Sequence, residues 1–407
     1  MRTDAVVVGA GPAGLAMSEA LANRRIGHVV LERGLAGDTW RNQRWDSFRL
    51  NTPAWMNALR NERNVLESDG ESLTEFLTAA ETVSALSRVA SMLPVRVGVS
   101  ADRLSRSGSG FRLETPDGEI YARSVVIATG KQNVARRPPL AEALPDRLLQ
   151  LTAADYRNAS VLPSGAVLVV GSAQSGCQIA EDLVNAGRRV YLATSRVGRM
   201  PWRYRGRESL AWLTDSGFYD VRPKDLDDPA LMHMAQPLVA SGGRSLSLQS
   251  LAASGVVMLP RLAAIADEVL TFTSSAADHI AFGDSGAASL RKLMEDFINR
   301  SGASAPEDEP DATERSVAVA HIETLDLRDA DISTVVWCTG FGGDFSWIDL
   351  PVVDELGRPL HEDGVSPVAG LFFMGFPWLM RRGSGILFGF PGDAEVIAGR
   401  VASGLAS

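Results

Sequence analysis

A glycine-rich stretch near the start of the chain, GAGPAG from Gly9 to Gly14, constrains the fold more than any other feature. An apolar run, Ala5 to Val8, leads into it and a helical pattern follows, so strand, tight turn and helix are expected in that order. Gly9 lets the chain turn, Gly11 leaves no side chain between the backbone and a pyrophosphate, and Gly14 lets the helix lie close on the strand. The helix begins at Pro12 and Ala13, and its N-terminus faces the phosphate with free N–H groups. A second apolar strand, His28 to Leu31, ends at Glu32, whose carboxylate can accept both hydroxyls of an adenosine ribose. Together these parts read as a dinucleotide-binding unit; a glycine turn without a ligand is the plain alternative.

The device recurs. AVLVVGSAQSGCQIAEDL repeats strand, turn and helix, with Gly171, Ala173 and Gly176 in the three glycine slots and Ser172 and Ser175 between them. An internal repeat of the unit follows. Ala173 in the middle slot requires a methyl group to fit against the pyrophosphate. The next strand, Arg189 to Ala193, ends in Thr194, Ser195 and Arg196 where the first unit has its acid. A hydroxyl and a guanidinium bind a 2′-phosphate that a carboxylate would repel, so this half favours NADPH over NADH. A solvated surface charge is the other reading of Arg196. An FAD in the first unit and NADPH in the second would permit hydride transfer between them.

The length of 407 residues suggests two to three domains, and the net charge of −9 argues against a nucleic-acid partner. The two cysteines, Cys177 and Cys338, lie in separate apolar segments and form no CxxC pair, as expected for buried thiols in a reduced compartment. No signal peptide and no run of eighteen apolar residues is present, so a soluble, cytoplasmic protein is expected. The five histidines, at 28, 233, 279, 321 and 361, show no metal-ligand spacing, so no metal is expected. Neither a GxSxG elbow nor a Walker loop occurs.

Between the two units lies GDTWRNQRWDSFRLNTPAWM, rich in Trp, Arg and Asn. It reads either as a surface excursion or as a wall against a flat cofactor. Arg33 just before it and Thr39 and Trp40 within it are cofactor-binding candidates, and Arg44 and Arg49 are read as tying the loop to Asp46. A core helix is expected from Leu73 to Ala90, ended by Pro94. VRVGVS and GFRLETPDGEIYARSVVIATG read as a small antiparallel meander returning to a buried strand, Ser124 to Ile127, with a crossing at Thr129 and Gly130. Another helix is expected from Ala287 to Asn299 and an exposed acidic loop from Ser301 to Glu314. STVVWCTGF mirrors VVIATG and places Gly340 at a second crossing. The last strand and helix are read as completing the first sheet. The expected fold is thus α/β with two Rossmann-like domains: a discontinuous FAD domain at 1–160 and 331–407, and an inserted NADPH domain at 161–330.

GAGPAG with Glu32, RWDSFRLNTP, ATG, VVGSAQSG, CTGF and GLFFMGFPWL together resemble the flavin-containing monooxygenase superfamily, in its bacterial flavin-dependent oxidoreductase branch. The resemblance covers nearly the whole chain. It implies that NADPH reduces FAD, that O2 adds at flavin C4a to give a (hydro)peroxide, and that one oxygen atom passes to a small organic substrate. N- or S-oxidation, hydroxylation and Baeyer–Villiger insertion are all within its range. Asn51 falls where many such enzymes carry an active-site asparagine, as the catalytic candidate; a turn asparagine is the plain alternative. Trp40 and Thr52 match flavin-contacting positions, and Ala101 a backbone contact to the adenine. The superfamily's FxGxxxHxxxY segment should span 146–156, but Asp146, Leu148 and Thr152 replace its Phe, Gly and His, leaving Tyr156. An FAD-dependent NADPH oxidase or dehydrogenase without oxygen insertion, and a non-catalytic flavoprotein sensor or partner, are therefore kept as alternatives. The oligomeric state is left open, a homodimer included.

Overall fold

Val6, Val7 and the other inward residues of Arg2–Val8 are fully buried because this strand is central, with parallel neighbours on both sides. The architecture is that of a computed structural model that describes residues 1–57, 59 and 75–406. The first sheet runs Val95–Val97, His28–Glu32, Arg2–Val8 and Gly118–Ile127 in parallel. Gly118–Ile127 is long enough to serve two sets of partners. Its last residues pair in parallel with Leu371–Phe373, and its first half closes the antiparallel meander with Gly110–Thr115 and Arg103–Ser107. The helices Pro12–Asn23 and Phe390–Ala406 pack on each other and on this sheet through Leu15, Leu21, Ile397 and Val401. Each such buried side chain contributes about 1.5–3 kcal/mol. The final strand and helix therefore complete the first sheet, as read from the sequence.

Two expectations about the sheets change. VRVGVS is not part of the meander: Val95–Val97 extends the parallel sheet beside Val30–Glu32. Its alternation suits either partner, and only tertiary pairing decides. Ile332–Trp337 does not belong with the first sheet, as a boundary at 331 requires. It lies between Ala166–Val170 and Leu149–Thr152 in a second parallel sheet, ordered Val257–Leu259, Val190–Ala193, Ala166–Val170, Ile332–Trp337, Leu149–Thr152. The reason is in the repeat itself. Ile332–Trp337 with CTG stands to the second glycine turn as Gly118–Ile127 with ATG stands to the first, so each turn has its own crossing strand.

The helix after the loop covers Ala79–Ala90 and starts at a capping box in which Thr78 and Glu81 satisfy each other's backbone N–H. Phe76 and Leu77 precede it as buried residues outside the helix, and Leu73 lies outside the described residues. The later helix is longer than expected, Ala276–Ser301. The acidic segment after it is largely exposed but pinned. Asp308 accepts from Arg205 N at 3.0 Å, and Glu314 pairs with Arg199 at 2.8 Å and with Arg291. Among the described residues, no helix is long and apolar enough to cross a membrane.

Candidate functional site

The two glycine turns have the same local geometry. Gly9 and Gly171 take φ values of 107° and 108°, in the left-handed region that favours glycine. A Cβ on Gly9 would meet the Ala128 oxygen at 2.6 Å, and one on Gly171 would meet the Cys338 oxygen at 2.5 Å. These contacts are the reason for small, tight crossings at ATG and CTG. On Gly14 and Gly176 a Cβ would fall 1.8 Å from the carbonyl oxygens of Gly9 and Gly171. The middle positions differ in kind: Gly11 and Ala173 cap their helices with φ −76° and −79°, angles open to any residue. A Cβ on Gly11 would meet nothing within 4 Å, because that side faces open space.

That space is one cleft of about 1610 Å³ shared by both turns. All the candidate positions named from the sequence line it except Gly14 and Gly176, whose place is between helix and strand. The Glu32 carboxylate is held by two N–H donors, Ala10 at 2.8 Å and Gly34 at 2.9 Å, which leaves lone pairs on both oxygens facing the cleft's rim. Thr129, at the first crossing, carries a buried hydroxyl with no hydrogen-bond partner among the described residues. On the second turn the Ser172 hydroxyl accepts from Ser195 N at 2.9 Å, joining the glycine turn to the strand end that bears Arg196.

The loop between the units forms a wall of this cleft. Thr52 Oγ1 donates to Asn57 Oδ1 at 2.8 Å, and the Asn57 amide donates back to the Thr52 and Pro53 carbonyls at 3.1 and 2.9 Å. Asn51 is left with its carboxamide in the cleft and no hydrogen-bond partner among the described residues. Trp40 packs against both hydrophobic cores and stands edge-to-face with Phe48 at 5.9 Å. The expected ties to Asp46 do not form. Arg49 donates to the Phe76 carbonyl at 2.8 Å, while Asp46 accepts from Asn158 at 2.6 Å. Arg44 instead turns into the cleft, its guanidinium 4.8 Å from the Trp40 ring and 5.4 Å from Phe48. Burial without a carboxylate pushes its pKa down to about 10.

Tyr156, the surviving residue of the degenerate segment, is fully buried and donates to Asp182 at 2.5 Å. Ser47 donates to the other oxygen of Asp182 at 2.5 Å. Asp182 thus fastens the second unit's helix to Tyr156 and, through Ser47, to the loop; burial together with Asp182 pushes the Tyr156 pKa well up. Both cysteines are free, buried thiols; desolvation pushes Cys338 up to about 12. Sequence reasoning does not separate His279 from the other histidines. It is 3% exposed, lines the cleft, and has Nδ1 2.8 Å from Thr194 Oγ1 and Nε2 3.1 Å from Ser274 Oγ. Among the described residues no group of three His, Cys, Asp or Glu could hold a metal ion.

The sequence profile of a family described as pyridine nucleotide-disulphide oxidoreductase matches residues 6–218. The chain is 29% identical over 400 residues to an uncharacterized CzcO-like oxidoreductase of Geobacillus kaustophilus, with 97% of each chain covered. It is also 29% identical over 192 residues to the indole-3-pyruvate monooxygenase YUCCA1 of Oryza sativa, covering 46% of each. A variant of a flavin monooxygenase from Stenotrophomonas maltophilia has the same fold, with a TM-score of 0.69 at 18% identity over 99% of this chain and 98% of that one. The resemblance to the flavin-containing monooxygenase superfamily stands with these matches.

Proposed function

Because the chain belongs to the pyridine nucleotide-disulphide oxidoreductase family, we propose that it is an NADPH- and O2-dependent FAD monooxygenase acting on a small organic substrate by N- or S-oxidation, hydroxylation or Baeyer–Villiger insertion. The observation that carries this reading is the pair of glycine turns with matching angles opening on one cleft of about 1610 Å³. That volume exceeds the roughly 1,000 Å³ upper end of sites for a single small molecule.

The residues present fit FAD at the first turn. Gly11 leaves its side of the turn clear, Glu32 has acceptor capacity for ribose hydroxyls, and the Thr129 hydroxyl lacks a partner that a ligand would supply. At the second turn, Ser172, Ser195 and Arg196 suit NADPH, and the Ala173 methyl lies where Gly11 has none. When bound, FAD supplies two-electron chemistry, taking hydride from NADPH and passing electrons to O2. The chain's own part is to hold, orient and exclude water. Asn51 offers the cleft a donor and an acceptor that do not titrate, so it would present a bound flavin with the same polar group at any pH. Trp40 and Phe48 form an apolar wall, and Arg44 places a desolvated cation against it.

The test is incubation with NADPH and 18O2 across amines, sulfides and ketones. Label in a product supports the proposal; NADPH consumed with stoichiometric peroxide and no labelled product throughout the panel refutes it. That second outcome would favour an FAD-dependent NADPH oxidase or dehydrogenase. One observation leans that way: Thr152 stands in the histidine's place and its hydroxyl is spent on Asp155 at 2.6 Å.

A further inference from the structure

Positive charge gathers at one end of the second sheet without an answering carboxylate. Val190–Ala193 and Val257–Leu259 are adjacent parallel strands with Ala193 opposite Leu259. The chain then continues through Ser195-Arg196 on one strand and Pro260-Arg261 on the other, so both arginines leave from neighbouring strand ends, and both line the cleft. Neither guanidinium has an ion pair or hydrogen bond among the described residues. Arg199, three residues from Arg196, shows the contrast: it is buried and paired with Asp284 at 2.7 Å and Glu314 at 2.8 Å.

Thr194 joins the two strand ends, and His279 bonds to it. Thr194 Oγ1 gives its one proton to the Leu259 carbonyl at 2.7 Å, so it can only accept from His279, whose Nδ1 therefore carries a proton. The ring, carried by the helix Ala276–Ser301, is thereby oriented between Thr194 and Ser274. Thr273, Ser274 and Ser195 line the same part of the cleft. Of the charged groups acting on His279, Arg196 and Arg261 are the cations and Asp278 is the acid. Two guanidinia around hydroxyls, with no carboxylate bound to either, suit a dianionic phosphate monoester.

We propose that Arg261 is a second specificity-determining residue for the 2′-phosphate of NADPH, gripping it from the strand end opposite Arg196 while the Thr194 hydroxyl keeps the two ends together. This rests on the NADPH reading above. It assigns the preference for a phosphorylated dinucleotide to two segments rather than to the turn after Val190–Ala193 alone.

The test is calorimetric titration of the purified flavoprotein with 2′,5′-ADP and with 5′-AMP, which needs no turnover. Unmodified protein should bind 2′,5′-ADP roughly ten- to a hundredfold more tightly. Arg261→Ala should remove about tenfold or more of that preference while leaving 5′-AMP binding and the melting temperature unchanged. Arg261→Lys should retain part of it, since the charge stays and the bidentate fork is lost. If Arg196→Ala loses the preference and Arg261→Ala keeps it, Arg261 has no such role and the NADPH reading stands. If the unmodified protein prefers neither nucleotide, both fall.

Discussion

Two glycines three residues apart, Gly11 and Gly14, separate what the fold needs from what a ligand needs. An alanine at 14 would put its methyl 1.8 Å from the Gly9 carbonyl oxygen, whereas Cβ contacts under 3.0 Å essentially never occur. The opposing atom is backbone at a positive φ, so the helix Pro12–Asn23 must move away by about an ångström from a strand whose last four residues, Ala5 to Val8, are buried. Overpacking of this kind costs about 1–3 kcal/mol. At about 2–4 °C per kcal/mol for a domain of this size, Gly14→Ala should lower the melting temperature of the apoprotein by about 2–12 °C. Alanine at 11 meets nothing within 4 Å and keeps a permitted φ of −76°, so Gly11→Ala should change apoprotein stability by less than about 1 kcal/mol. Its methyl would occupy the space assigned to the pyrophosphate, so bound flavin per chain should fall sharply. Thermal unfolding of flavin-stripped protein and the flavin-to-protein absorbance ratio read the two effects separately. Equal destabilisation of the two apoproteins, or full flavin content in Gly11→Ala, would refute the reasoning.

Asn51→Asp sets a negative charge where an uncharged carboxamide stood, and should raise the peroxide released per NADPH at the expense of oxygenated product; unchanged coupling would remove Asn51 from the reaction. Tyr156→Phe deletes the donor to Asp182 and should cost about 1–3 kcal/mol in denaturant unfolding. Flavin reduction should survive that change, and a loss of reduction at unchanged stability would mean that Tyr156 acts on the cofactors. Burial holds His28, His279 and His361 below the ordinary 6.5, so between their folded values and 6.5 the unfolded chain binds more protons. Stability should therefore rise with pH up to about 6.5 and fall as pH drops below it. Urea midpoints at pH 5.5 and 7.5 check the sign, and a higher midpoint at pH 5.5 would contradict it.

What the sequence made legible was steric. Gly9, Gly14, Gly171 and Gly176 are required by contacts within a few residues of themselves and their crossings, and the spacing states that requirement directly. Glu32 was legible for the same reason, since a strand end after a fixed-length helix has a fixed position. The sheet to which Ile332–Trp337 belongs was not, because its pattern matches that of Ser124–Ile127 and only pairing distinguishes them. Nor was the partner of Arg44: a guanidinium near Asp46 in sequence turned to Trp40 and Phe48 in space. Thr194, Arg261 and His279 come from three segments, and no local pattern in any one of them signals the other two.

The central claim is that the cleft holds a flavin and a nicotinamide close enough for direct hydride transfer. Anaerobic mixing of the oxidised flavoprotein with NADPH, followed by absorbance in a stopped-flow instrument, tests it most directly. NADPH should bleach the flavin band rapidly and completely, with NADH markedly less effective at the same concentration. A flavin that stays oxidised with either nucleotide would contradict it.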